Sequence, residues 1–219
     1  MCIRDRAYTL EAVKYLIAED CKLIIIACNT ATAIALRYLQ QRFLPVYAPK
    51  TKILGVVIPT VEEAAFPGAG KAGVIATQAT VRSHIYQTEL LKLNPNLEVQ
   101  EIAAPQLVPM IENNDFEQAE TICRGYAGQF DAIDSLILGC THYPLVKEYF
   151  RTLLPEVKII SQDELMGAKL QNYLQRHPEI SACLSRNHAY RFEVSRLNTQ
   201  ALNVAGRLFP GIAIKEKAS

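Results

Sequence analysis

Lys22-Leu-Ile-Ile-Ile-Ala-Cys28-Asn29-Thr30-Ala-Thr-Ala decides the reading of this chain, because an aliphatic run without polar alternation ends in a cysteine just before a helical pattern begins. A buried parallel strand delivers its last residue to a crevice in this way. Ser135-Leu-Ile-Leu-Gly-Cys140-Thr141-His142-Tyr-Pro144-Leu repeats the arrangement far downstream. Each half of the chain therefore builds its own strand-to-helix corner, and two facing corners would line a cleft with two thiols.

Working outward, strands alternate with helices. A helix is expected over Thr9 to Ile17, with Thr9 as its cap and Met1 to Arg6 outside any element. Strand Lys22 to Ala27 leads into a helix through Ile34, Tyr38 and Leu39, and Ile53 to Ile58 reads as a strand ended by Pro59. Phe66-Pro-Gly-Ala-Gly-Lys71-Ala-Gly73 reads as a loop; no Ser or Thr follows Lys71, so it is not a phosphate loop. Gly73 to Thr77 is the next strand and ends in Thr77, Gln78 and Thr80. A helix carrying Val81, Ile85 and Leu91 follows, then strand Leu97 to Ile102, a helix over Phe116 to Phe130, strand Ser135 to Leu138 and strand Lys158 to Ile160. Glu164 to Leu174 is helical, Arg191 to Val194 an edge strand, and Ala201 to Leu208 a terminal helix before Phe209-Pro-Gly. Strands alternating with helices of about 10 to 15 residues imply an α/β fold with mostly parallel sheets flanked by helices. Two such domains are expected, one from residues 1–58 with 161–219 and one from 59–160, with the active site between them.

Composition excludes several classes. The chain has 219 residues, half of them hydrophobic, and 23 basic against 22 acidic side chains leave a formal charge of +1. Near-balance without charge runs gives no sign of a nucleic-acid partner. The apolar runs are too short to span a bilayer, and no signal-like h-region opens the chain. Six cysteines without a CxxC pair suit free thiols in the cytoplasm.

Several chemistries could use the two corners. Cys28, Cys140 and His142 could supply three metal ligands, although Cys28 has no neighbouring ligand of the kind that nucleates a zinc site. A lone nucleophilic Cys with His142 as base would leave Cys28 without a role. Inverting a stereocentre beside a carboxylate employs both, because one group removes a proton from one face and another returns one to the opposite face. Thiols suit that work if helix N-termini lower their pKa values, and the same corners offer backbone N–H groups to a carboxylate. Cys123, on an apolar helical face, reads as an inert core thiol, and His84, His177 and His188 as surface or capping residues.

Ala27-Cys28-Asn29-Thr30-Ala31 and Gly139-Cys140-Thr141-His142-Tyr143-Pro144 resemble the two signatures of the glutamate racemase family. Gly73-Val-Ile-Ala-Thr77-Gln78-Ala79-Thr80-Val81 and Pro105-Gln-Leu-Val-Pro109-Met-Ile-Glu112 resemble its intermediate motifs in the right order. The resemblance implies two pseudo-symmetric α/β domains around a cofactor-independent site that interconverts L- and D-glutamate for peptidoglycan synthesis. It implies that Cys28 deprotonates D-glutamate, that Cys140 works from the L side, and that His142 assists Cys140. Asn29, Thr30, Thr77, Thr80 and Thr141 match substrate-binding positions. A cytoplasmic location and a homodimer are implied as well.

The departures from the family are expectations too. Family members open with a strand ending in Asp-Ser-Gly and later carry Pro-Tyr-Gly; neither occurs here, so the first strand of domain one reads as missing and the chain as written as inactive. Ile160-Ser161-Gln162 stands where many members have Ile-Asp-Ser, and Ala104 where many have Cys. Aspartate racemase of the same superfamily and a non-enzymatic Cys/His metal-binding module are the alternatives.

Overall fold

A computed structural model describes residues 2–66, 68–187, 189–208 and 211–217. The chain divides into two compact units, residues 1–184 and 185–219.

In the first unit, helix α1 (Cys2–Ala18) precedes β1 (Leu23–Ile26), and α2 (Asn29–Tyr38) follows it. A π-helical segment (Leu39–Phe43) and α3 (Leu44–Tyr47) lead to β2 (Lys52–Gly55) and α4 (Val57–Ala64). Then come β3 (Lys71–Ala76), α5 (Gln78–Ser83), α6 (Ile85–Leu93), β4 (Glu98–Ala103), α7 (Leu107–Glu112) and α8 (Phe116–Ala127). The unit closes with β5 (Ser135–Gly139), a 3-10 turn (Tyr143–Val146), α9 (Lys147–Leu153), β6 (Lys158–Ile160), α10 (Gln162–Arg176) and α11 (Pro178–Ser181). In the second unit, β7 (Phe192–Val194) pairs in parallel with β8 (Ile214–Glu216), and α12 (Thr199–Leu208) lies between them in sequence.

Among the described residues all strand pairing is parallel. β1 lies beside β2 with Ile24 opposite Ile53, and four strands form a sheet in the order β4-β3-β5-β6. Helices cover both faces of that sheet, so its strands carry unbroken apolar runs whose alternate residues serve two cores. Ile75, Leu136 and Leu138 pack with Leu107, Cys123 and Phe150 on one face. Val74, Ala76 and Ile137 pack with Val61, Tyr86 and Leu90 on the other. Asp134 sets the register of the strand starts, accepting the backbone N–H groups of Gly70 and Lys71 at 2.7 and 2.8 Å.

The β1–β2 pair is covered on one face. Ile24 and Ile26 pack with Val13 of α1, Leu36 of α2 and Ile53 of β2. Ile25, pointing the other way, is 45% exposed and lines a cavity of about 480 Å³ with Leu54, Ile58, Met166 and Leu170. The expectation that β1 is buried on both faces is therefore corrected, since apolar periodicity alone does not show what covers a side chain.

Other boundaries shift for local reasons. α1 begins at Cys2, so residues up to Arg6 are helical, and the Thr9 hydroxyl, rather than capping, donates to the Asp5 carbonyl one turn back at 2.8 Å. β2 stops at Gly55, and Pro59 lies in the first turn of α4, where its missing N–H has no intrahelical partner to lose. The helix expected through Val81 and Leu91 is broken by His84, which adopts left-handed geometry at φ 51°. β3 starts at Lys71 rather than Gly73. Met1, Pro67, His188, Phe209 and Pro210 lie outside the described residues.

The two faces of β1 give a direct test. Ile24→Ala should cost about 2 to 5 kcal/mol in urea unfolding, and Ile25→Ala under about 1 kcal/mol. Strand propensity is lost equally in both, so equal costs would contradict the one-sided packing.

Candidate active site

Each corner is built by a strand that ends where a helix begins. Cys28 caps α2 from extended backbone (φ −72°, ψ 122°), and its Sγ accepts the Ala31 N–H at 3.5 Å. The thiol is exposed. Asn29 and Thr30 form the first turn behind it.

The second corner is dry. All five residues of β5 are buried, and Cys140 beyond them is 6% exposed. Gly139 suits the close packing there: a Cβ would stand 3.0 Å from both Ala76 Cβ and Tyr86 Cε2, so a neighbour would have to give way. Pro144 fits the tight turn after it, and the Tyr143 hydroxyl fastens that turn by donating to the Ala104 carbonyl at 3.1 Å. His142 Nδ1 lies 3.7 Å from Cys140 Sγ, and His142 Nε2 lies 3.0 Å from Glu112 Oε1. Sequence reasoning had quoted the motif ending in Glu112 without giving that carboxylate a role. Its place at the end of α7 is what brings it to the histidine.

A third corner, after β3, joins the first. Thr77 caps α5, its Oγ1 accepting the Thr80 N–H at 3.3 Å. The hydroxyls of Thr30, Thr77 and Thr80 form a triangle with sides of 2.9, 3.0 and 3.0 Å. Thr80 is fully buried, Thr30 and Thr77 partly so, and Thr141 is exposed.

Asn29 is buried in a polar network that sequence reasoning missed. Its Oδ1 accepts from the Tyr86 hydroxyl at 2.6 Å and from Gln162 Nε2 at 2.7 Å, while its Nδ2 donates to Gln162 Oε1 at 3.0 Å. Gln162 Nε2 also lies 3.2 Å from Thr60 Oγ1 and 3.3 Å from the Tyr86 hydroxyl. The one signal in the sequence was the departure at Ser161-Gln162 from the family pattern.

Electrostatics reverse one expectation. Burial pushes the Cys140 thiol up to about 11, outweighing the backbone N–H groups of His142 and Tyr143 that favour the thiolate. The negative charges of Cys28 and Glu112 raise it further. Helix-terminal donors alone suggested depression; desolvation wins because the thiol lies inside the protein. Burial also pushes Cys123 up to about 12, as suits a thiol wholly inside the core. Among the described residues, no three His, Cys, Asp or Glu side chains converge as metal ligands would. No helix among them is long and apolar enough to cross a membrane.

Residues 3–163 match the Asp/Glu/Hydantoin racemase family. Glutamate racemase of Streptococcus sanguinis is 37% identical over 163 residues, covering 71% of this chain and 58% of that protein. Glutamate racemase of Geobacter metallireducens is 35% identical over 210 residues, covering 93% of this chain and 75% of the relative. The crystal structure of the Francisella tularensis glutamate racemase in complex with D-glutamate superposes with a TM-score of 0.85 at 29% identity, covering all of this chain and 81% of that one. The parallel sheets flanked by helices are thus those of a known racemase fold, while the chain spans under two thirds of the streptococcal relative.

Alkylation tests the electrostatics of the buried thiol. The rate at Cys140 with iodoacetamide, followed by peptide mass spectrometry, should rise with pH to a midpoint near 11, since the thiol is protonated below that value and ionised above it. A midpoint at or below the ordinary thiol value of 9.0 would contradict the burial argument.

Proposed function

The chain belongs to the Asp/Glu/Hydantoin racemase family, and we propose that within it the protein interconverts L- and D-glutamate through Cys28 and Cys140, without a cofactor. One observation carries this reading. The two thiols come from separate strand-to-helix corners, and Tyr86 links those corners: its hydroxyl donates to Asn29, next to Cys28, and its ring lies against Gly139, next to Cys140. Inversion by two bases needs one group to take a proton from one face of Cα and another to return one to the opposite face.

The raised proton affinity of Cys140 makes it the proton donor at rest. In the D-to-L direction the Cys28 thiolate takes the Cα proton, leaving a planar carbanion whose charge spreads into the carboxylate. Cys140 then gives its proton to the opposite face and becomes the thiolate, ready to act on L-glutamate as the reaction reverses. His142, beside Cys140, eases that second transfer, and Glu112 holds the imidazole in orientation. Asn29, Thr30, Thr77, Thr80 and Thr141 shape the binding side, with Thr80 acting through the hydroxyl triangle because it is itself fully buried. The first turn of α2 offers N–H groups to a carboxylate.

Glutamate is preferred to aspartate because the relatives at 35 to 37% identity are glutamate racemases. We further propose a cytoplasmic homodimer supplying D-glutamate to peptidoglycan synthesis, in which one domain from residues 1–58 with 161–219 and a second from 59–160 each contribute one thiol.

Deuterium incorporation at Cα from each enantiomer in D2O tests the activity; no exchange from either, with glutamate bound, would sink the proposal. Faster exchange on aspartate would move it to aspartate racemase. Cys28→Ser and Cys140→Ser should each lower racemisation by about 10²- to 10⁴-fold, and near-full turnover in either variant would refute the two-base assignment. His142→Asn should lower kcat/KM by the same factor in both directions, because racemisation has an equilibrium constant of one. Its primary isotope effect should nevertheless grow for L-glutamate deuterated at Cα, whose proton Cys140 takes.

A further inference from the structure

Gln162 opens α10, far in sequence from both cysteines, yet its side-chain amide touches three other helices. It meets Asn29 on α2, Thr60 on α4 and Tyr86 on α6, and it is 5% exposed. The pairing with Asn29 is reciprocal: each side chain donates to the other, at 2.7 and 3.0 Å. Tyr86 adds a second donor to Asn29 Oδ1 at 2.6 Å. Turning the Asn29 amide over would set its NH2 against two donors, so the network fixes which end of the amide faces which way. One Asn29 N–H is then engaged by Gln162 Oε1, and the other is not used within the network.

The network reaches both corners. Asn29 directly follows Cys28, and the Tyr86 ring packs so closely on Gly139, which directly precedes Cys140, that a Cβ there would stand 3.0 Å from Cε2. The Thr60 hydroxyl donates to the Val56 carbonyl at 2.6 Å, which leaves its lone pairs for Gln162. Such a buried network holds a single geometry when every member is satisfied and loses it when a central member is removed.

We infer that Gln162 is a positioning residue of the racemase site: through Asn29 and Tyr86 it fixes the first turn behind Cys28 relative to the corner that carries Cys140. This rests on the racemase reading for its kinetic consequence, though the positioning itself does not. A leucine of similar size removes the polar pairing and keeps the volume. A glutamic acid buried here stays protonated over a wider pH range than usual, and in that form it still donates one hydrogen bond and accepts another.

The full chain carrying Gln162→Leu should keep a cooperative thermal transition and lose about tenfold in kcat/KM for glutamate. Gln162→Glu should stay within about threefold of wild type at pH 6 and fall to the leucine level as pH rises and the carboxyl ionises. Wild-type rates in the leucine variant, or a glutamate variant that tracks leucine at every pH, would overturn the inference. If leucine fails to fold, the glutamate variant's pH profile relative to wild type decides alone. If the wild-type chain exchanges no Cα proton, the racemase reading falls and iodoacetamide becomes the arbiter of the positioning. The alkylation rate of Cys28 relative to Cys183 should then shift by about threefold or more in the leucine variant and recover in the glutamate variant at pH 6; an unchanged ratio overturns it.

Discussion

Removal of the β5 terminus from water is the condition on which the site depends. A strand buried on both faces brings Cys140 to its end inside the protein, and desolvation raises the thiol's hold on its proton. Gly139 follows from the same burial, because Ala76 and Tyr86 crowd the position its Cβ would take. So does the fastening of the turn behind it, where Tyr143 reaches the Ala104 carbonyl and His142 reaches Glu112.

The other corner answers with the opposite environment. Cys28 is exposed at the start of α2, and the strand that delivers it packs on one face only. One thiol is thus dry and the other wet, and burial strengthens the hold of Cys140 on its proton. The Asn29–Gln162 pair sits between these environments and joins them through neutral hydrogen bonds, which avoid the cost of burying charge.

Much of this was legible in the residues. Both Cys-centred corners and the parallel sheet followed from aliphatic runs ending in small polar residues, since strands covered by helices show unbroken apolar runs, whereas the grouping of Thr30 with Thr77 and Thr80 rested on the family resemblance. What escaped was whatever depends on neighbours distant in sequence. The exposed face at Ile25 has the same composition as its buried neighbours, and the sign of the Cys140 shift turns on how deeply the strand end is buried. Gln162 reads only as part of a departure from the family pattern, ahead of the helix expected from Glu164, until its three partners are assembled around it. The left-handed His84 that divides α5 from α6 has no cue in an otherwise continuous periodicity.

The three-threonine triangle has a consequence of its own. Three hydroxyls within 3.0 Å of one another can pass their hydrogens around the ring in either sense, clockwise or anticlockwise. Reversal needs only rotation of light O–H bonds, with no backbone or χ1 movement. With all three hydrogens engaged inside it, in whichever sense, the ring presents only lone pairs outward: it receives a donor as it stands, and one side must open before it can meet an acceptor.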